Sequence, residues 1–220
     1  MKKSAFTLAE VLITLGVIGV VAALTMPSLI TKYKEKETVV KLKKFYSIIS
    51  QAYLRAVQEN GTPDNWGITG MNADSSTIVA QMIKPYLVLS KDCAYNAGCF
   101  PDKYVQIDGV TNAANFLTGP WRYMVALSDG SSIAFAAASP DTIVIYYDIN
   151  GSKPPNQFGK DMFQLSASFD KVESGLEGTD ILTQCLKTGY TCFGWVVTNE
   201  NMDYLRCPDK LDWDTKNKCD

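Results

Sequence analysis

Histidine is absent from this chain of 220 residues, which contains 21 basic and 23 acidic side chains. Its absence excludes Ser-His-Asp and Cys-His nucleophilic catalysis, histidine general bases and histidine metal ligands. The sequence also lacks a nucleotide-binding loop, an acid pair and a nucleophile motif, so we expect a protein that is not an enzyme. The net charge of −2 is small, and nucleic acid is therefore not expected as the main partner.

Cysteine is absent before position 93, and the six cysteines beyond it fall as neighbours along the chain: Cys93 and Cys99, Cys185 and Cys192, Cys207 and Cys219. An even number of cysteines confined to one part of the chain indicates disulfides and an oxidising compartment. Pairing of sequence neighbours is the simplest expectation, although other connectivities remain open. A zinc site is the alternative, but the sequence has no Cys-x-x-Cys pair and no histidine.

The sequence lacks long apolar runs with one exception, which extends from Phe6 to Met26. Its length is sufficient for a helix to cross a bilayer. Glu10 lies inside this run, where an unpaired carboxylate is costly, so it predicts a functional role with a charged or polar partner. The alternative is that the Glu10 side chain reaches the lipid headgroups and has no role. Lys2 and Lys3 favour a cytoplasmic N-terminus.

The first thirty residues, MKKSAFTLAEVLITLGVIGVVAALTMPSLI, resemble the N-terminus of type IV prepilins and type II secretion pseudopilins. The resemblance implies that a prepilin peptidase cleaves between Ala5 and Phe6 and methylates the new amine, which gives an N-methylphenylalanine. It also implies that Glu10 guides assembly by pairing with the Phe6 amine of a neighbouring subunit. The family usually has glycine where this chain has Ala5.

The resemblance implies a structural subunit that assembles through its N-terminal helix into a type IV pilus or a type II secretion filament. The expected partners are other pilin-like subunits in a homo- or heteropolymer, the prepilin peptidase, an inner-membrane assembly platform and membrane lipid. The expected location is the bacterial inner membrane, crossed once, with an extracytoplasmic C-terminal domain in a periplasmic or cell-surface filament. The alternative is a membrane-anchored extracytoplasmic binding module or adhesin that does not polymerise.

The predicted organisation is a cleaved cytoplasmic leader at 1–5, a transmembrane and polymerisation helix at 6–30, an amphipathic continuation at 31–60 and a globular domain at 61–220. No proline or glycine interrupts Ser28–Asn60, and its apolar residues recur at spacings of three and four. The continuation should therefore be one helix with an apolar face that needs a cover.

The globular domain is predicted to provide that cover with an antiparallel sheet of about four strands, which makes the fold α+β. The apolar alternation and the turn residues place the strands at Trp121–Leu127, Ser131–Ala138, Thr142–Ile149 and Phe163–Phe169. Residues 62–118 are expected to be rich in loops, with one short helix at Ser76–Lys84. A disulfide-tied C-terminal region, with a short helix near Thr179–Lys187, completes the prediction.

The loop after the third predicted strand carries oxygen-bearing side chains separated by glycines: Asp148, Asn150, Asn156 and Asp161. These donors suit calcium, so the loop is a candidate calcium site and calcium a possible cofactor. The alternative, which the pattern favours, is a wide hairpin in which Asp and Asn side chains bond the backbone and glycine supplies a positive φ.

A small basic cluster is formed by Lys41, Lys43 and Lys44 on the amphipathic helix. Pilins that take up DNA use such patches. With Glu35 and Glu37 nearby, a solvated helix face is the favoured interpretation.

Overall fold

The computed structural model describes residues 7–113, 119, 121–173 and 179–219. The chain divides into two units, Met1–Glu37 and Thr38–Asp220. Helix α1, Leu8–Asn60, contributes to both. The helix ends where Gly61 adopts a φ of +77°, and the Gly61 N–H donates to the Val57 carbonyl at 2.8 Å. Glycine is the residue that most readily adopts this left-handed end of a helix.

The first unit contains the apolar part of α1. Its most apolar window of 18 residues has a mean hydropathy of 2.3, and none of that window is buried within the molecule. The helix is long and apolar enough to cross a membrane once, by length and composition. Pro27 lies inside the helix.

The second unit contains a six-stranded antiparallel sheet with the strands in sequential order. The strands are β1 Leu89–Ala94, β2 Tyr123–Leu127, β3 Ser132–Ala137, β4 Thr142–Asp148, β5 Met162–Ser168 and β6 Lys171–Glu173. Strands β2 to β5 are the four predicted from the sequence, and the α+β fold is confirmed. The predicted number of strands is too low because β1 and β6 were missed.

The two additional strands lie at the sheet edges, and neither has the sequence pattern of a half-buried strand. The register of β1 shifts twice against β2, and Ser90, Lys91 and Asp92 are exposed. Strand β6 has only three residues, which is too short for an alternating pattern to be recognised.

Helix α1 packs its buried stripe against one face of this sheet. The stripe consists of Thr38, Val39, Leu42, Phe45, Ile49, Ala52, Tyr53 and Ala56. The Phe45 ring stacks on Tyr147 of β4 with 3.6 Å between ring centroids. The Tyr46 hydroxyl donates to the Val172 carbonyl at 3.0 Å. The predicted helix-on-sheet arrangement is therefore present.

The opposite face of the sheet is covered by the segment between β1 and β2. A second apolar cluster there includes Phe100 and Tyr104, which pack with Met124, Ala134 and Phe158. Strand β3 is buried at every position because it is covered on both faces.

The described residues of the second unit also form the α-helices α2 Ala73–Ile83, α3 Thr179–Thr188 and α4 Cys192–Asn199, together with four short 3-10 helices. Helix α2 begins earlier than the predicted Ser76 because Asn72 caps it. The Asn72 side-chain oxygen accepts the Ser75 N–H at 2.8 Å.

Three disulfides join the cysteines in the neighbour-to-neighbour order that the sequence predicts: Cys93–Cys99, Cys185–Cys192 and Cys207–Cys219. The second bridge links α3 to α4, and the third ties the C-terminal segment. Short loops restrict the unfolded chain less than long ones, so each bridge is expected to contribute at the low end of about 2–4 kcal/mol.

Candidate functional site

Glu10 takes part in a reciprocal cap at the start of helix α1. The Thr7 N–H and the Thr7 hydroxyl each donate to Glu10 Oε2 at 2.8 Å. The Glu10 N–H donates to the Thr7 hydroxyl oxygen at 3.3 Å. This is a capping box, in which two residues three apart satisfy the free N–H groups of a helix end. The spacing Thr-x-x-Glu is the sequence signal for it, and the surrounding apolar run masks that signal.

The capping box leaves one carboxylate oxygen of Glu10 uncommitted. Glu10 Oε1 accepts no hydrogen bond from any residue in the described part of the chain, and the side chain is exposed. A cation from another molecule can therefore approach Glu10 without breaking the cap. The two predicted processing residues, Ala5 and Phe6, lie outside the described residues.

The loop after β4 contains a second group of predicted site residues, beginning with Asp148. This side chain is fully buried at the end of β4. Its carboxylate accepts hydrogen bonds from the Tyr104 hydroxyl and, at 2.9 Å, from the Asn150 N–H. Burial raises the pKa of Asp148 to about 7 in spite of these donors. Burial, with the nearby Asp148 charge, also raises the pKa of Tyr104.

Asp161 lies at the other end of the same loop, directly before β5. Its carboxylate accepts the Asn156 N–H at 2.8 Å and the Gln157 N–H at 2.7 Å. The Asn150 side-chain amide lies 3.5 Å from the same carboxylate. Burial raises the pKa of Asp161 despite these hydrogen bonds. The structure therefore brings the loop residues into one hydrogen-bonded group, as the hairpin alternative expects.

The same loop also offers oxygen atoms that a metal ion would use. The side-chain oxygens of Asn150 and Asn156 are buried and have no hydrogen-bond partner. Buried polar atoms normally have one, so these two need an explanation such as an ion or a water. Two carboxylates and two amide oxygens fit the oxygen preference of calcium. Among the described residues, no group of three or more His, Cys, Asp or Glu side chains is placed to hold a metal.

One comparison with known proteins gives a match. A family model described as a family of unknown function, DUF6613, matches residues 28–170. The chain belongs to DUF6613. A search of curated proteins and a search of solved structures found no match. The DUF6613 match includes the sheet through β5 and the loop with Asp148 and Asp161, whereas Glu10 lies before it.

The DUF6613 match also contains the basic cluster, which the structure divides. Lys43 forms an ion pair with Glu200, just beyond α4. Lys44 is exposed and faces a groove between α1 and the sheet, and Lys41 lies at the same groove. The three lysines therefore do not act as one patch.

Calcium is expected to stabilise this DUF6613 protein if the loop binds it. In detergent, after removal of metals with a chelator, calcium at a hundred times its dissociation constant should add about 2.7 kcal/mol to the free energy of unfolding. Denaturant unfolding with and without calcium measures this.

Asp161→Asn should lose the calcium response because a carboxylate ligand is removed. Asp102→Asn removes an exposed carboxylate outside this loop and should retain the response. If calcium leaves the unfolding curve of the native chain unchanged, the calcium site is contradicted and the loop serves only as a hairpin.

Proposed function

We propose that this DUF6613 member is a pilin-like or pseudopilin subunit that is processed between Ala5 and Phe6 and polymerises through its N-terminal helix. The observation that carries the proposal is the exposed apolar part of α1, with one carboxylate held at its start. So large an apolar surface needs a partner. Lipid is the partner before assembly, and the helices of other subunits replace it in the filament.

Charge pairing gives a physical reason for a defined stagger between subunits. Cleavage before Phe6 would create an amine one helical turn from Glu10. An amine and a carboxylate from neighbouring subunits neutralise each other, which lowers the cost of both charges in an apolar environment. Glu10 Oε1, which accepts no hydrogen bond from the described residues, can make that contact without loss of the cap.

The edge strands of the sheet are poorly suited to polymerisation by strand addition, which supports assembly through the helix instead. An open sheet can polymerise by adding strands at its edges, unless those edges are short or irregular. Strand β1 has two register irregularities and an exposed lysine, and β6 has three residues. Both edges are therefore poor templates for another strand.

The proposed location is the bacterial inner membrane, with the second unit on the extracytoplasmic side. The apolar helix and the three disulfides support it, since structural disulfides persist in oxidising compartments. The proposed partners are other pilin-like subunits, a prepilin peptidase, an assembly platform and lipid.

A membrane-anchored binding module is the second candidate function, and the capping box gives Glu10 a role in it that needs no second subunit. The Thr7 and Glu10 hydrogen bonds stabilise the start of an anchor helix whether or not the protein polymerises. In that case Glu10 needs no partner from another subunit.

Processing tests the proposed function directly. Mass spectrometry of protein extracted from membranes is expected to show a mature chain that begins at an N-methylated Phe6. The variant Ala5→Gly, which restores the usual family residue, should be cleaved at least as fast as the native chain. Retention of Met1, or cleavage after the apolar run, would remove the filament proposal.

A further inference from the structure

A groove in the second unit lies between helix α1 and the end of the sheet where β2 and β4 finish. Its volume is 160 Å³. Its floor is apolar and includes Phe45, Leu127, Tyr147 and Ile149. Ile48 of α1 also lines it and is 37% exposed. Apolar cavities of about 150 Å³ accept a benzene ring, so an aromatic side chain is of the right size for this groove.

The exposed charge of Lys44 favours an anionic neighbour on the helix side of the groove. Asp129 lies on the opposite side, and its carboxylate accepts the Ser131 N–H at 3.1 Å and the Ser131 hydroxyl at 2.5 Å. Burial raises the pKa of Tyr147 to about 12, so this side chain stays neutral. A suitable occupant therefore carries an aromatic ring next to a carboxylate.

The turn between β5 and β6 presents such a pair, Phe169 and Asp170. Phe169 is 57% exposed, and Asp170 is also exposed. The backbone of Phe169 has a φ of 49°, a conformation that costs free energy for a bulky residue and that asparagine or glycine adopts more easily. A two-residue hairpin turn commonly requires a positive φ, so the turn explains the conformation but not the choice of an exposed aromatic side chain at this position.

The groove and this turn lie at opposite ends of the same sheet. Strands β4 and β5 are antiparallel, so the turn after β5 is at the end away from the last residues of β4. The Tyr53 hydroxyl of α1 donates to the Phe169 carbonyl at 3.0 Å, whereas the groove uses Lys41 to Ile48 of the same helix. A contact between opposite ends of two copies is head-to-tail, and repetition of such a contact can build an open filament.

We propose that the groove of one subunit receives Phe169 and Asp170 of a second copy. The Phe169 ring contacts Ile48 and Ile149, the apolar groove residues that are not fully buried, and the Asp170 carboxylate lies beside Lys44. This contact rests on the proposed filament function and adds a site in the globular domain to the helix contact. It fixes the order of neighbouring domains along the filament.

Charge reversal tests the contact in the full-length chain. Lys44→Glu and Asp170→Lys should each reduce sheared filaments on the order of tenfold at equal membrane level, because each places like charges together. The double variant restores an opposite-charge pair and should recover most of the yield. Lys103→Glu and Asp102→Lys change exposed charges outside the groove and the turn, and their filament yield should stay native.

A variant of Phe169 separates assembly from folding. Phe169→Asn relieves the backbone strain, so the subunit should unfold no more easily than the native chain. It also removes the ring, so filament yield should fall. A loss of filaments in a subunit of undiminished stability supports the contact, and native filament yield from Phe169→Asn overturns it.

Cross-linking between copies distinguishes failure of this contact from failure of the proposed function. Copies with Ile48→Cys are mixed with copies with Lys171→Cys, so that a short bifunctional maleimide gives a dimer only across the proposed contact. A strong dimer band in filaments is expected. Native filaments without this band, together with native yields from both charge variants, overturn the contact alone. If the native chain forms no filaments, the proposed function fails and the contact fails with it.

Discussion

Glu10→Gln is expected to abolish filaments while membrane level and cleavage stay native. Glutamine serves in a capping box as glutamate does, so the hydrogen bonds with Thr7 can persist. The negative charge is lost, and the Phe6 amine of a neighbouring subunit is left without its partner. Shear fractionation, normalised to membrane-bound protein, measures the result.

Two companion variants separate the charge of Glu10 from its capping role. Thr7→Ala removes the hydroxyl of the cap and keeps the carboxylate, so it should weaken the first turn by about 1 kcal/mol and leave filaments largely intact. Glu10→Ala removes both the cap and the charge, and should give no filaments.

The filament yields of these variants distinguish a polymerising subunit from a membrane-anchored binding module. Native filament yields from Glu10→Gln and Glu10→Ala would end the assembly role proposed for Glu10. Loss in Thr7→Ala and Glu10→Ala, but not in Glu10→Gln, would show that the cap matters and the charge does not.

Asp148 is expected to make the second unit less stable as the pH rises from about 4 to about 7. Burial raises the pKa of Asp148 from 3.8 to about 7, so the folded chain binds a proton that the unfolded chain releases. The stabilisation is complete below the unfolded pKa and is lost as the pH passes through the folded value. A shift of this size corresponds to about 4 kcal/mol.

Among the described residues, the other carboxyls with a shifted pKa do not reverse this trend above pH 4.5. Burial raises the pKa of Asp161 as well, so it acts in the same direction. The hydrogen bond from Lys43 lowers the pKa of Glu200, so its stabilisation is present above the unfolded pKa of 4.5 and is lost as the pH falls below that value.

Denaturant unfolding in detergent, with a chelator present and disulfides intact, measures the dependence on pH. Asp148→Asn keeps the shape and an acceptor for the Tyr104 hydroxyl, and should flatten the profile between pH 4.5 and 8. Asp102→Asn, at an exposed position, should keep the native slope. A native profile that is flat in this interval would contradict a neutral, buried Asp148.

The central fold was predictable because its signals are local. The apolar residues from Val39 to Ala56 repeat with the period of a helix. In β2 to β5 the apolar residues alternate with others or the strand follows turn residues, so each element is recognisable without its neighbours. The pairing of cysteines close in sequence follows the same rule.

The candidate sites were predictable only in part. Glu10 and the four loop donors could be named from residue type and spacing. The burial of Asp148 and its contact with Tyr104, which is distant in the sequence, depend on the packed loop and have no signal in a local pattern.

Residue type and periodicity are sufficient to predict the apolar helix with its carboxylate, the amphipathic continuation and the four central strands, because these signals extend over only a few residues. The extension of the sheet by β1 and β6 depends on the packed molecule, because backbone hydrogen bonds to an adjacent strand can form whatever the side-chain pattern of the edge strand. The tertiary structure also decided that Lys44 faces a groove and Phe169 is exposed at the far end of the sheet. Surfaces of this kind form when distant segments pack together, and no single segment encodes them.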